Sequence, residues 1–193
     1  MRDDLPRLAQ KSTAKEWADA GKTLFDQKRY SQAQSCYERA ERPREVAITH
    51  AYVLHERASR MPKGKSGSSA EVNRLGAFMQ AAEAFLSCAS KWHDLSLFRK
   101  LGECFEAAGQ YLRAAEAHCQ GENYTESILL YRRLGKFDEA IEIILGKDKV
   151  RQDIADDTKK AAKLFYLSKA ESELVDAAKN RTDIPLHSNT ALE

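Results

Sequence analysis

The chain has 193 residues, enough for a single domain with a substantial core. Its 31 Lys and Arg oppose 29 Asp and Glu, and the net charge of +2 supplies no strong pull toward nucleic acid or anionic lipid. No apolar run approaches the roughly 20 residues a bilayer crossing needs, and the polar N-terminus lacks the apolar stretch of a secretory signal.

In chain order, residues 1–12 read as a polar, flexible lead-in, and residues 181–193 as a flexible tail without helical period. No proline stands between Pro62 and Pro185, and apolar residues recur at helical spacing almost throughout. That predicts an all-α chain. The first helix opens at Thr13, with Glu16 completing a capping box, and buries Trp17, Ala20, Gly21, Leu24 and Phe25. A second begins near Ser31, with Gln34 at the matching capping position, and buries Ala33, Cys36, Tyr37 and Ala40. Two longer helices follow, over about residues 44–60 and 68–89. The Pro, Gly and Ser of residues 61–68 predict a flexible loop between them.

The opening statement then returns. Phe98, Leu101, Gly102 and Phe105 copy the spacing of Trp17, Ala20, Gly21 and Leu24, and Gly109-Gln110-Tyr111 turns into a helix burying Ala114, Ala115 and His118. Asn123 with Glu126 reads as the cap of a helix carrying Tyr124, Ile128 and Tyr131. Leu134-Gly135-Lys136-Phe137 leads into its partner with Ala140, Ile141 and Ile144. A last helix starts near Ile154 and offers apolar stripes as far as Ala178, with Ser168 a candidate break. The count is about nine helices in one unit spanning residues 13–180. Gly21, Gly102, Ala33, Ala114 and Ala140 stand where two helix backbones must approach closely.

Gly64-Lys65-Ser66 matches the last three letters of a phosphate-binding loop. Such a loop needs a glycine five residues before its Gly-Lys and a strand leading in, because tight-loop amides must converge on the phosphates. Position 59 is Ser59 and the lead-in is helical, so a basic linker is the better reading. His50, His55, His93, His118 and His187 form no i, i+4 pair, and no Cys/His cluster has zinc spacing. His118 takes an aromatic's place in the repeat, which predicts a satisfied core imidazole. The cysteines Cys36, Cys88, Cys104 and Cys119 show no Cys-x-x-Cys pair, and free thiols in a reducing compartment are expected. No nucleophile, base and oxyanion set can be nominated, so no catalytic residue, metal or cofactor is expected. The expected setting is intracellular, cytoplasmic or nuclear.

The series Trp17, Ala20-Gly21, Leu24, Tyr30, Ala33, Tyr37, Ala40 resembles the tetratricopeptide repeat, as does Phe98, Leu101-Gly102, Phe105, Gly109, Tyr111, Ala114, His118. A looser match runs through Tyr124, Ile128, Tyr131, Gly135, Phe137, Ala140 and Ile144. The resemblance implies a tetratricopeptide-like solenoid of helical hairpins, wound as a right-handed superhelix. More narrowly, residues 16–149 are similar to the helical segment of the large tetratricopeptide and ankyrin repeat proteins, which also carry a UvrD-like superfamily 1 helicase region. No helicase motif stands in this chain, so an excised accessory region is implied.

In such solenoids the leading helix of each pair lines a concave groove. Carried onto this sequence, the groove residues are Lys15 and Lys22, then Tyr52 and His55, then Arg99 and Glu103, then Leu129 and Arg132. The implied partner is a peptide or helix of another protein, or another domain of the same parent chain. The carboxylate clamp that grips acidic chaperone tails needs Lys and Asn where this chain has Ala18 and Lys22, so that partner class is not expected. The rival reading is an accessory nucleic-acid-binding element using Lys63, Lys65, Arg99, Lys100, Arg132, Arg133 and Lys136, with steep salt dependence. The near-neutral net charge counts against it.

Overall fold

The computed structural model describes residues 12–182, with side chains described through residue 179. The flexibility expected of residues 1–11 and 183–193 lies outside the described residues. Among the described residues the chain forms nine helices and no strand. They are α1 (Ala14–Asp26), α2 (Tyr30–Arg39), α3 (Pro43–Arg60), α4 (Ser69–Trp92), α5 (Leu95–Ala107), α6 (Tyr111–Gln120), α7 (Tyr124–Arg133), α8 (Phe137–Gly146) and α9 (Gln152–Thr182). Each packs chiefly against the helix before it and the one after, and α9 touches α7 as well as α8. The architecture is an all-α solenoid of helical hairpins.

Helix α1 starts as its sequence dictates. The Thr13 amide donates to Glu16 Oε2 at 2.7 Å and the Glu16 amide to Thr13 Oγ1 at 3.3 Å, so two orphan donors are satisfied reciprocally. The second capping box does not form. Helix α2 begins at Tyr30, beside the expected Ser31, but without a side-chain cap, and the Gln34 side-chain amide donates to Glu38 instead.

A backbone motif takes over that task at five corners. Lys28, Glu41, Gly109, Glu122 and Gly135 all have positive φ, between 54° and 74°. The amide after each, on Arg29, Arg42, Gln110, Asn123 and Lys136, donates to the carbonyl five residues back at 2.8–3.0 Å. These are Schellman turns. They satisfy the last carbonyls of one helix and start the next within three residues. For the same reason Asn123 makes no side-chain cap with α7.

The corners keep a strict beat. The positive-φ residue recurs every thirteen positions from Gly109 to Glu122 to Gly135, so a hairpin there takes twice thirteen residues, against about 34 in a tetratricopeptide repeat. The two leading units also match in depth. A Cβ on Gly21 would lie 2.9 Å from the Tyr37 ring, and one on Gly102 would lie 2.6 Å from the His118 ring. The main core runs from α3 to α8 around Phe85, Leu101 and Ile128, and a smaller one joins α1 and α2 around Trp17, Leu24 and Tyr37. Ser168 does not break α9, which lacks any proline before Thr182.

Candidate functional site

Phe25 is the penultimate residue of α1 and Tyr30 opens α2, so the tight corner between them brings their rings to 5.2 Å. Tyr52 of α3 meets both, edge-on to Phe25 at 5.0 Å and stacked on Tyr30 at 5.0 Å. Beneath, Tyr52 rests against Phe85 of α4 at 5.1 Å, and His55 lies against Phe78 and Phe85 at 5.9 and 6.5 Å. Above this ledge opens a cleft of about 560 Å³, its rim formed by Asp26, Lys28, Glu56, Ser59 and Lys100. A second depression of about 670 Å³ lies between α2 and α3 over Pro43, Val46 and Ala47. Its lining holds a single ring, the His50 imidazole, against the four of the aromatic cleft, which is the better candidate.

Burial pushes the Tyr52 phenol up to about 12, with Tyr30 and Glu103 adding to the effect. Burial and then Glu56 raise the Tyr30 phenol. Both hydroxyls therefore keep their protons at neutral pH and can act as donors. His55 is lowered, first by burial and then by Lys100, against the pull of Glu103 and Glu56. At the rim, Lys100 Nζ sits 2.5 Å from Glu103 and Arg60 sits 2.7 Å from Glu56. The ledge offers ring faces and hydroxyl donors between balanced charges. It suits an apolar or ring-bearing group flanked by polar ones.

Of the eight groove residues expected from the sequence, Tyr52 and His55 line this cleft, and Glu103 acts electrostatically on both. Lys15 and Lys22 are exposed on α1. Leu129, exposed, and Arg132, half-buried, belong to α7, outside the cleft lining. Arg99 has an internal task, since its Nε–H donates to the Gly121 carbonyl at 2.8 Å and ties α5 to the corner after α6. Phe25 was missed as a site residue because the helical period assigned it to packing, and Tyr30 because it figured only in the repeat pattern. The signal that would have found them is that they flank one short turn.

At the Gly64-Lys65-Ser66 stretch the Gly64 amide is already engaged by a carboxylate. The Gly64 amide donates to Glu71 Oε2 at 3.1 Å and the Glu71 amide to Ser68 Oγ at 3.3 Å, while Arg74 grips the Glu71 carboxylate at 3.0 and 2.6 Å. That grip holds the Glu71 carboxyl down to about 2. The basic groups of the nucleic-acid reading are mostly engaged too. Lys100 pairs with Glu103, Lys136 with Glu139, and Arg133 stacks on Tyr111 at 4.4 Å.

His118 is enclosed, with Nε2 2.8 Å from Glu106 and Nδ1 3.3 Å from the Asn123 amide. Cys36, Cys88 and Cys104 are buried free thiols, Cys119 is a half-buried one, and burial pushes Cys104 up to about 12. Among the described residues no cluster of His, Cys, Asp and Glu could hold a metal ion, and no helix is long and apolar enough to cross a membrane. No protein-family model, curated protein or solved structure matches the chain.

Proposed function

We propose that this chain is a non-enzymatic interaction scaffold that receives a segment of a protein partner, or of another domain of its parent chain, in the aromatic cleft. One observation carries the reading: three half-exposed rings from three successive helices meet at the floor of an open cleft with a charge-balanced rim. Aromatic anchors flanked by polar groups are the usual chemistry of interface hot spots. We read the unit as a tetratricopeptide-like region of a larger parent protein, similar to the helical segment of repeat proteins that carry a UvrD-like helicase region; the alternative is an accessory nucleic-acid-binding element of such a helicase. The resemblance in sequence supports that context; the cleft supports only the binding.

The test fills the cleft rather than dismantling it. Ser59 is an exposed lining residue, so Ser59→Trp places a bulky ring in the opening while the ledge beneath stays packed. Exposed Ser87 on α4 serves as the control through Ser87→Trp. Both variants should melt within about 0.5 kcal/mol of wild type. Affinity capture followed by quantitative mass spectrometry should show partners retained by Ser87→Trp and lost with Ser59→Trp. Retention of every specific partner by folded Ser59→Trp would remove the cleft from consideration.

A further inference from the structure

We propose that the outer face of α9 is a dimer contact, in which two copies of this chain pair their α9 helices antiparallel, level about residues 168–169, through Leu164, Leu167 and Leu174. The contact is independent of the aromatic cleft, whose rings belong to α1, α2 and α3.

Helix α9 changes faces along its length. Ala155, Thr158 and Ala162 are buried at helical spacing, and Phe165 and Tyr166 continue that stripe onto Phe137 and Asp138 of α8. Further along, the same register holds Lys169, Glu173 and Asp176, all exposed, so docking on α8 ends there. The leucines move to the opposite side instead. At about 100° per residue, Leu164, Leu167, Leu174 and Ala178 stand about 120–200° around the helix from Ala162. With Glu171 as the one polar position among them, they follow the alternating three-and-four spacing of a coiled-coil seam. Leu164 is 68% accessible and Leu167 53%, a cost that burial against a partner would remove.

The charges decide which partner fits. Residues 159–169 carry Lys159, Lys160, Lys163 and Lys169 and no acid, whereas residues 170–178 carry Glu171, Glu173 and Asp176 and no base. These blocks do nothing for α9 on its own. Lys159 and Lys163 repel at i, i+4, and Lys169 with Glu173 runs in the less favourable order. A two-fold contact must be self-complementary, and a helix with one basic and one acidic half meets that demand only when its copy runs antiparallel. Levelled about residues 168–169, Leu164 meets Leu174 of the partner subunit, and Asp157 stands beside Lys179 of the partner subunit on the same flank. Glu171 then lies between Leu167 and Lys163 of the partner subunit, within reach of an ammonium. A parallel pair would set lysine on lysine.

The test uses the full chain. Sedimentation equilibrium from about 1 µM to about 200 µM, the range expected of a short seam, should fit a monomer–dimer equilibrium. Amide protection of residues 163–179, low in the monomer, should rise over the same range. Leu167→Glu/Leu174→Glu changes only exposed positions, so it should keep the monomer's circular dichroism and weaken the dimer about tenfold or more. A second variant, Lys160→Glu/Lys163→Glu, leaves the leucines in place, sets acid against acid and should weaken the dimer as well. Orientation is read by Leu164→p-benzoylphenylalanine mixed with isotope-labelled wild type and irradiated, where adducts should fall on residues 171–178 of the labelled chain. No dimer at the upper concentration, a dimer unaffected by both variants, or adducts confined to residues 160–168 of the labelled chain would each overturn the proposal. So would a chain that stays monomeric and binds vesicles of anionic lipid through this face, which would then be a membrane contact.

Discussion

Three glycines show how one substitution can carry opposite signs in a single chain. Gly102 supports a contact: a Cβ there would press on the His118 ring at 2.6 Å, and His118 cannot retreat because Glu106 and Asn123 hold its two nitrogens. Gly102→Ala should therefore cost about 1–3 kcal/mol through overpacking. Gly109 has open space around it but φ of +74°, so Gly109→Ala should cost about 1–2 kcal/mol from backbone strain alone. Gly76 has open space inside α4 at an ordinary helical φ, and Gly76→Ala should stabilise by about 0.5–1 kcal/mol. Urea melts of the three variants check the order; a destabilised Gly76→Ala would show that α4 has a neighbour in solution along that face. His55 adds a pH dependence. Its folded value is lowered, mainly by burial, so its contribution is complete above the unfolded value near 6.5 and is lost as pH falls below that. His55→Phe, which cannot titrate, should flatten the decline in melting temperature between about pH 7 and pH 5. An identical decline in both proteins would assign that loss to other groups.

At the scale of the element, the corners decide the fold. Each Schellman turn fixes the exit of one helix and the start of the next, and small residues then set how closely the pair closes. Ala114, fully enclosed in α6 against α5, is such a residue, and Ala114→Arg should cost more than about 2 kcal/mol, since both overpacking and an unpaired charge result. An unchanged melting temperature would contradict the packing of α6 against α5. The same physics explains what could be read beforehand. Helix number, the Thr13 box and the enclosed Ala33, Ala114 and Ala140 follow from local spacing, and all were legible. The caps at Ser31 and Asn123 were misread because a side-chain signal was sought where the backbone supplies the bonds, through αL residues that are Lys or Glu as often as Gly. Half of the cleft was legible through Tyr52 and His55. The pairing of Tyr30 with Tyr52 was not, since it depends on how α2 and α3 meet across the turn at Glu41.

For the molecule as a whole, repetition explains why the cleft sits where it does. Eighty-one positions after Tyr30 and Tyr52 stand Tyr111 and Arg133, and the Arg133 guanidinium covers the Tyr111 ring at 4.4 Å. Arg39 covers Trp17 at 4.6 Å and Arg113 covers Phe105 at 4.1 Å in the same manner. Along the solenoid arginines shield the aromatic series from water, whereas at Tyr30 the covering group is another ring and an aromatic ledge remains. The far end is open for a different reason. The connection into α9 ends α8 in an extended residue, Lys147, rather than in a Schellman turn, and α9 buries only Ala155, Thr158 and Ala162 among its described residues, with Phe165 set against Phe137 at 4.9 Å and the Tyr166 hydroxyl donating to Asp138 at 2.6 Å. From residue 163 to residue 179 every position is exposed, with Leu174 70% accessible and Val175 52%. A helical segment whose residues are all exposed is sustained mostly by its intrinsic propensity, and helices of that length are marginal in water. Hydrogen exchange should therefore find the amides of residues 163–179 exchanging orders of magnitude faster than those of α5, whose Leu101 and Cys104 are enclosed. Leu174→Glu should leave the melting temperature unchanged within about 0.5 kcal/mol equivalent. Protection of residues 163–179 equal to that of α5, at a concentration where the protein is monomeric, would mean that another part of the chain covers them.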